Sequence, residues 1–154
     1  MPDTRIAFAD ANWLVSTYHD DGNRSVVRQW RDEGPPSNLV ISEAVVAECR
    51  CNFWRVGSRL VALESDLRAG LFLNCGYTFA EMTLMAEGLF RRYAPRCNVG
   101  TLDLLHIAAA RRFGCRFFLS FDRRSGCRAV AHLEKLRVFP ELNQTDQAWL
   151  AKLK

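Results

Sequence analysis

The chain is expected to fold as an α/β domain of three layers, with a central parallel sheet covered by helices on both sides. Its 154 residues are 49% apolar and 25% charged, with only 9 Gly and 5 Pro. That is ordinary globular usage and excludes collagen-like, low-complexity and wholly disordered chains. One core of this size removes roughly 70% of the unfolded chain's surface from water, so folding needs neither disulfides nor a structural metal. Short apolar runs of strand length alternate with longer stretches of helical periodicity, with no linker and no internal repeat between them. Such alternation calls for parallel strands joined by helical crossovers.

Arg5 to Ala9 is long enough for a buried strand and too short for a helix, and it stops at Asp10. A helical stretch follows. Asn23 is placed to cap a helix from Arg24 to Glu33, with Val26, Val27 and Trp30 on one face and Gly34, Pro35 and Pro36 as its stop. Asn38 to Ile41 reads as a second strand, after which Ser42 caps a helix carrying Val45, Val46, Cys49 and Phe53 on its apolar side. Another helix begins at Ser58 and ends at Gly70, and Leu71 to Gly76 is a strand or strand-like connector. Thr78-Phe-Ala-Glu81 has the form of a capping box and opens a helix that runs to Tyr93. After a loop from Ala94 to Gly100, Thr101 is placed to cap the helix Leu102 to Phe113, which Gly114 ends. Arg116 to Leu119 and Val138-Phe139 supply the last strands. The domain is assigned to residues 1–140, leaving 141–154 as a tail. Within it, Asn143 to Lys154 suits a helix capped by Thr145 with Trp149, Leu150 and Leu153 along one stripe, packed on the domain or on a partner.

The longest apolar stretches, such as Leu104 to Ala110, fall well short of the roughly 18 residues that span a bilayer. The start MPDTRIAFAD also lacks the basic-then-apolar order of a secretory signal, so a soluble, cytoplasmic protein with no membrane partner is expected. The 6 Cys then read as reduced thiols. Cys49 and Cys51 point roughly 200° apart on a helix and cannot share a metal, and the other four read as small apolar filler. A net charge of +4 is too mild to indicate nucleic acid by itself. The 18 Arg against 3 Lys say more, because a guanidinium fork binds phosphate bidentately, although an Arg-rich proteome would give the same count.

In an open parallel sheet the ligand site lies beyond the carboxyl ends of the strands. Asp10 ends the first strand and Asp122 follows Phe117-Phe-Leu-Ser-Phe. Either alone is ordinarily a turn former or a helix cap. Two further acids sit where surface acids are less expected: Glu48 within Ala44-Val-Val-Ala-Glu-Cys, and Asp103 in the first turn of a buried-looking helix. If each helix starts at the strand-end edge, all four face one cleft. Like charges crowded there would raise pKa values and cost stability, and a hard divalent cation resolves the conflict. Oxygen-only ligation suits Mg²⁺ or Mn²⁺, whereas Zn²⁺ would want His and Cys that this set of acids lacks.

Phe8-Ala-Asp10-Ala-Asn12, Ser42-Glu-Ala-Val-Val-Ala-Glu48, Asp103-Leu-Leu-His-Ile-Ala-Ala-Ala110 and Leu119-Ser-Phe-Asp122-Arg-Arg, in this order, resemble the four motifs of the PIN-domain nucleases. Within that family the chain is similar to the VapC-type toxins of bacterial toxin–antitoxin pairs, with Ser120 where the fourth motif usually has Thr. The likeness covers roughly residues 5 to 140 and leaves out the tail. It implies a metal-dependent endoribonuclease that hydrolyses phosphodiester bonds of single-stranded or structured RNA. It further implies Mg²⁺ or Mn²⁺ bound most directly by Asp10 and Asp103, with Glu48 and Asp122 binding directly or through water. A homodimer and a cognate antitoxin are implied partners.

Asn12 and Ser120 suit either orientation of Asp10, a ligand water or the phosphate, or plain capping. Glu43 reads as a solvated acid favoured by the helix dipole. His106, one turn after Asp103, reads first as a packed, hydrogen-bonded histidine. Arg123 and Arg124 are candidates to meet phosphate, although adjacent helical arginines cannot both face the cleft. Trp13 and Trp54 read as core before base-stacking residues. Two other functions compete. An aspartate-based phosphotransfer domain would want a second acid two residues after Asp10 and a Lys beyond a late strand, where this chain has Asn12 and little Lys. A catalytically silent nucleic-acid- or antitoxin-binding module would not need all four acids.

Overall fold

The computed structural model describes residues 4–56 and 59–154. The chain runs β1 (Arg5–Ala9), α1 (Ala11–Tyr18), α2 (Arg24–Asp32), β2 (Ser37–Ile41), α3 (Glu43–Val56), α4 (Leu60–Arg68) and β3 (Phe72–Asn74). It continues through α5 (Phe79–Tyr93), α6 (Thr101–Phe113), β4 (Phe117–Leu119), α7 (Cys127–Leu133), β5 (Arg137–Phe139) and α8 (Gln144–Leu153). The strands form one sheet in the order β3-β2-β1-β4-β5, and every pairing is parallel. The expected three-layer α/β fold is therefore the observed one, with helices flanking the central sheet.

β1 is the middle strand because it is the most apolar: Ala7, Phe8 and Ala9 are fully buried, as a strand covered on both faces requires. In register, Phe8 lies opposite Val40 on one side and Phe118 on the other. From β1 the chain winds outward to β2 and β3, then crosses back to β4 and β5. The strand order therefore reverses between β1 and β4, which opens a crevice at their carboxyl ends. Asp10 stands at that point.

α6 closes the crevice from one side. Residues 104–110 are all buried, and the run Ala108-Ala-Ala110 lets the helix pack tightly against its neighbours. Gly114 ends it in the left-handed conformation at φ 90°, its N–H reaching back to the Ala110 and Arg111 carbonyls. Trp13 is buried, stacked on Phe121 with ring centroids 4.8 Å apart. Trp54 departs from the expectation of core packing: it is 77% exposed, because its position on α3 turns away from the sheet.

Ser42 Oγ accepts from Val45 N, and Thr78 and Glu81 form the expected capping box. Three other caps differ from expectation. Asn23 is in a helical conformation without a side-chain cap, and its Oδ1 instead accepts from Arg123. Gly100, not Thr101, caps α6, and Thr101 is already helical. Asn143, not Thr145, caps α8, in a reciprocal box with Asp146. For α6 and α8 the cap is the neighbour whose backbone is extended. Ser58 lies outside the described residues.

The C-terminal helix is tied in by charge as well as by its apolar stripe. Arg128 of α7, 2% exposed, donates Nε to Asp146 at 3.0 Å and spends its other nitrogens on the carbonyls of Ser120, Pro140 and Glu141. One guanidinium thus joins α7, α8, the end of β4 and the loop after β5. Glu134 does similar work nearby, accepting from Arg92, Tyr93 and Arg111 and so linking α5, α6 and the end of α7. Removing one partner of a buried pair leaves an uncompensated charge. Asp146→Ala is therefore expected to lower the unfolding free energy by about 3–5 kcal/mol in urea denaturation, and Asp146→Asn, which keeps an acceptor for Arg128, by less.

Candidate metal centre

Asp10 is both the last extended residue after β1 and the N-cap of α1. Its Oδ1 accepts from Ala11 N at 2.8 Å, and its Oδ2 accepts from Ser120 Oγ at 2.9 Å and Asn12 Nδ2 at 3.4 Å. Asn12 Oδ1 in turn accepts from Phe121 N at 2.9 Å. The carboxylate at the end of the central strand is thereby locked to the end of β4, with 4% of the residue exposed.

Two groups of donor atoms meet at Asp10. In one, Asp10 joins Asp103 and Cys127; in the other it joins Glu48 and His106, and within each group the donors lie within 4.8 Å of one another. Asp103 and His106 share a face of α6, being three residues apart. His106 is fully buried, with Nε2 at 3.2 Å from Glu48 Oε1 and 3.9 Å from Asp10 Oδ1. Among the described residues its Nδ1 has no partner. Asp103 Oδ2 accepts from Gly100 N at 3.1 Å. A Cβ at Gly100 would sit 3.0 Å from that oxygen, so a side chain there would crowd the carboxylate where it folds back onto the helix start.

Asp122 is spent differently. Its Oδ1 accepts from the backbone N–H groups of Arg124 and Ser125, and its Oδ2 from Ser125 Oγ. It shapes the turn into α7 and remains near enough for its charge to be felt at Asp103. Arg123 and Arg124 are in this loop rather than in a helix, because the turn around Asp122 delays α7 until Cys127; both are exposed. Glu43 is exposed in the first turn of α3, as expected. Beside Asp10 an open cleft of about 380 Å³ is lined by Asn12, Glu48, Asn52 and Phe121. A larger groove of about 720 Å³, lined by Met85, Leu89, Arg92 and Arg111, contains none of these acids.

His106 is the packed, hydrogen-bonded histidine expected, with Glu48 as its partner. Sequence reasoning read Cys127 as small apolar filler and did not place it beside Asp10 and Asp103, and the only available signal was its position shortly after Asp122. The expectation that the acids lack His and Cys neighbours is corrected by the two donor groups, which the topology assembles from four separate segments.

The electrostatics suit a divalent cation. Burial, then the charges of Asp10 and Asp122, raise the Asp103 pKa to about 6. Burial also raises Asp10, against His106 and Ser120, which favour its ionised form. The only cationic side chain paired with these acids among the described residues is His106, whose own pKa is raised by Glu48, Asp10 and Asp103 against the cost of burial. Carboxylates drawn together with so little positive charge are what a bound divalent ion would relieve. Asp10 and Asp103 are placed to hold such an ion, with Glu48 across Asp10.

All three raised groups bind protons more tightly in the folded protein than in the unfolded chain. For each, the stabilised form is the protonated one, so its contribution is full below the unfolded pKa and is lost as pH rises through the folded value. In EDTA, the melting temperature is expected to fall between about pH 5 and pH 8. Asp103→Asn, which keeps the acceptor for Gly100 N, should raise the melting temperature at pH 8 and flatten that dependence. Thermal unfolding followed by circular dichroism checks both.

Similarity to known proteins agrees with this geometry. No curated protein matches the chain. Among solved structures, it is similar to Mycobacterium tuberculosis VapC20, a toxin that cleaves the sarcin-ricin loop. The TM-score is 0.61 at 19% sequence identity, over 77% of this chain and 91% of the other. At that identity the likeness concerns the fold. The PIN domain family model matches residues 7–133, which run from β1 to the end of α7 and include all four acids. The chain therefore belongs to the PIN domain family.

Proposed function

We propose that this protein is a divalent-metal-dependent endoribonuclease that hydrolyses phosphodiester bonds of RNA, and that it is the toxin of a toxin–antitoxin pair. The observation that carries the reading is the meeting of Asp10 and Asp103 at the switch point of a PIN fold, with no Lys or Arg paired to either among the described residues. The cation is Mg²⁺ or Mn²⁺, and when bound it would polarise the phosphodiester and lower the pKa of an attacking water.

The chain's own residues supply position and charge. Asp10 and Asp103 would hold the ion. Glu48, steadied by His106, faces the cleft beside Asn12 and is placed to orient a water. Ser120 and Asn12 fix the rotamer of Asp10 so that its carboxylate stays beside that of Asp103. Asp122 acts through the field it adds at Asp103 and through a water. Arg123 and Arg124, exposed on the adjoining loop, meet substrate phosphates. Residues 1–140 are the nuclease domain, braced by the tail through Arg128 and Asp146. The sarcin-ricin loop specificity of VapC20 makes structured RNA as well as single strands a substrate class to test. Partners are a second copy of the chain and an antitoxin that presents Arg or Lys to the carboxylates, in the cytoplasm.

Asp10→Asn, Glu48→Gln, Asp103→Asn and Asp122→Asn should each depress Mg²⁺- or Mn²⁺-dependent RNA cleavage, with Glu43→Gln unaffected. Ser120→Ala, which frees the Asp10 rotamer, is expected to cost roughly 10- to 100-fold in activity or metal affinity. Wild-type cleavage that persists undiminished in EDTA would overturn the metal mechanism. Mass measurement at micromolar concentration tests the dimer, with a monomer counting against it.

A further inference from the structure

Cys127 is the first residue of α7 and is completely buried, yet its sulfur faces the oxygens of Asp10 and Asp103. Gly126 makes this possible: a Cβ there would collide with Cys97 Sγ, so only glycine lets the chain turn in so closely. The thiol is held neutral by desolvation and by the charges of Asp103, Asp10 and Asp122. No hydrogen bond satisfies it among the described residues, in contrast to Cys49, whose thiol donates to Ala11 O. A polar, unpartnered, wholly buried group thus points into a pair of carboxylates. Across Asp10 stands the imidazole Nε2 of His106.

Hard and soft cations would use this centre differently. Mg²⁺ takes oxygen and leaves a thiol protonated, whereas Zn²⁺ and Cd²⁺ favour thiolate. Donors around one Zn²⁺ lie up to roughly 4 Å apart, given bonds of about 2.0–2.3 Å, so atoms already within 4.8 Å need only small side-chain movement. Resting on the metal-centre reading above, we propose that Asp10, Asp103 and Cys127 form a site for a thiophilic divalent cation, Zn²⁺ in particular, which competes with Mg²⁺ for the two carboxylates and holds the nuclease inactive. On binding, the Cys127 S–H bond breaks, a sulfur–metal bond forms and the proton passes to solvent, with no change of oxidation state. Asp10 and Asp103 are then withdrawn from oxygen-only coordination, so the same residues that position the activating ion take the inhibitory one.

The test is a titration of the metal-free full-length protein with Cd²⁺, following the ultraviolet thiolate-to-metal charge-transfer band, alongside Zn²⁺ affinity measured against a chromophoric chelator. The wild type should develop the band at one equivalent. Cys127→Ser, which is close in volume, should lose that band and bind Zn²⁺ at least tenfold more weakly, and Cys127→Ala repeats the comparison should the serine variant fold poorly. Mg²⁺ should suppress the band competitively, and Asp103→Asn should weaken it. A band that persists in both Cys127 variants, or Zn²⁺ affinity unchanged by them, would overturn the proposal and return Cys127 to the role of apolar filler. Mn²⁺ binding to the wild type separates the two failures. If Mn²⁺ binds and is lost in Asp10→Asn while Cd²⁺ gives no Cys127-dependent band, the carboxylate centre stands and the thiolate site does not. If neither ion binds, the metal centre itself fails.

Discussion

The site depends on holding one carboxylate, that of Asp10, ionisable and immobile at the end of the most buried strand. A charge in that place is costly, and desolvation pulls it toward the neutral form. The fold opposes this with three donors, Ala11 N–H, Ser120 Oγ and Asn12 Nδ2. One of these, Ser120 Oγ, is available only because β1 and β4 are neighbours and run parallel. Asp10 N also donates to Leu119 O, so the pairing of these strands continues past their formal ends and sets the distance from Asp10 to Ser120. Sheet register and site geometry are therefore one constraint.

From Ser120 the constraint extends outward to the C-terminus. Arg128 binds the Ser120 carbonyl and is itself held by Asp146 of α8. The tail, remote in sequence from Asp10, braces the backbone whose hydroxyl aims the carboxylate. This arrangement also explains how an arginine comes to be almost fully buried in α7: its donors are spent on three carbonyls and a carboxylate, so the desolvation cost is offset by hydrogen bonds.

Asp103 and His106 show how a buried helix can carry polar chemistry. Residues 104–110 of α6 are enclosed, and the two polar side chains project from one face toward the carboxyl end of the sheet, where Glu48 and Asp10 meet them. Asp103 is kept at the helix start by Gly100, where the helix dipole favours a negative charge. His106 lends partial positive character between Glu48 and Asp10. The balance of repulsion and weak compensation suits a divalent cation, and one soft donor, Cys127, lies beside the hard ones.

Periodicity and punctuation were enough to read the α/β class, the strands β1, β2, β4 and β5, and the boundaries of α5, because these are local: an apolar run of strand length, a Thr-x-x-Glu box, a glycine that alone tolerates φ 90°. The four acids were legible for the same reason, each lying just past a strand or early in a helix. Which neighbour caps a helix was less legible, since Gly100 and Asn143 prevail over Thr101 and Thr145 only through the path of the preceding loop. The sequence by itself thus determined the fold class and the order of the acids along the chain. Only the tertiary structure decided that His106 and Cys127 join them, that Asp122 turns its oxygens into its own loop, and that Arg128 and Asp146 brace the site from the far end of the chain. Contacts between residues dozens of positions apart are set by strand order and register, and no local pattern of residue types encodes those.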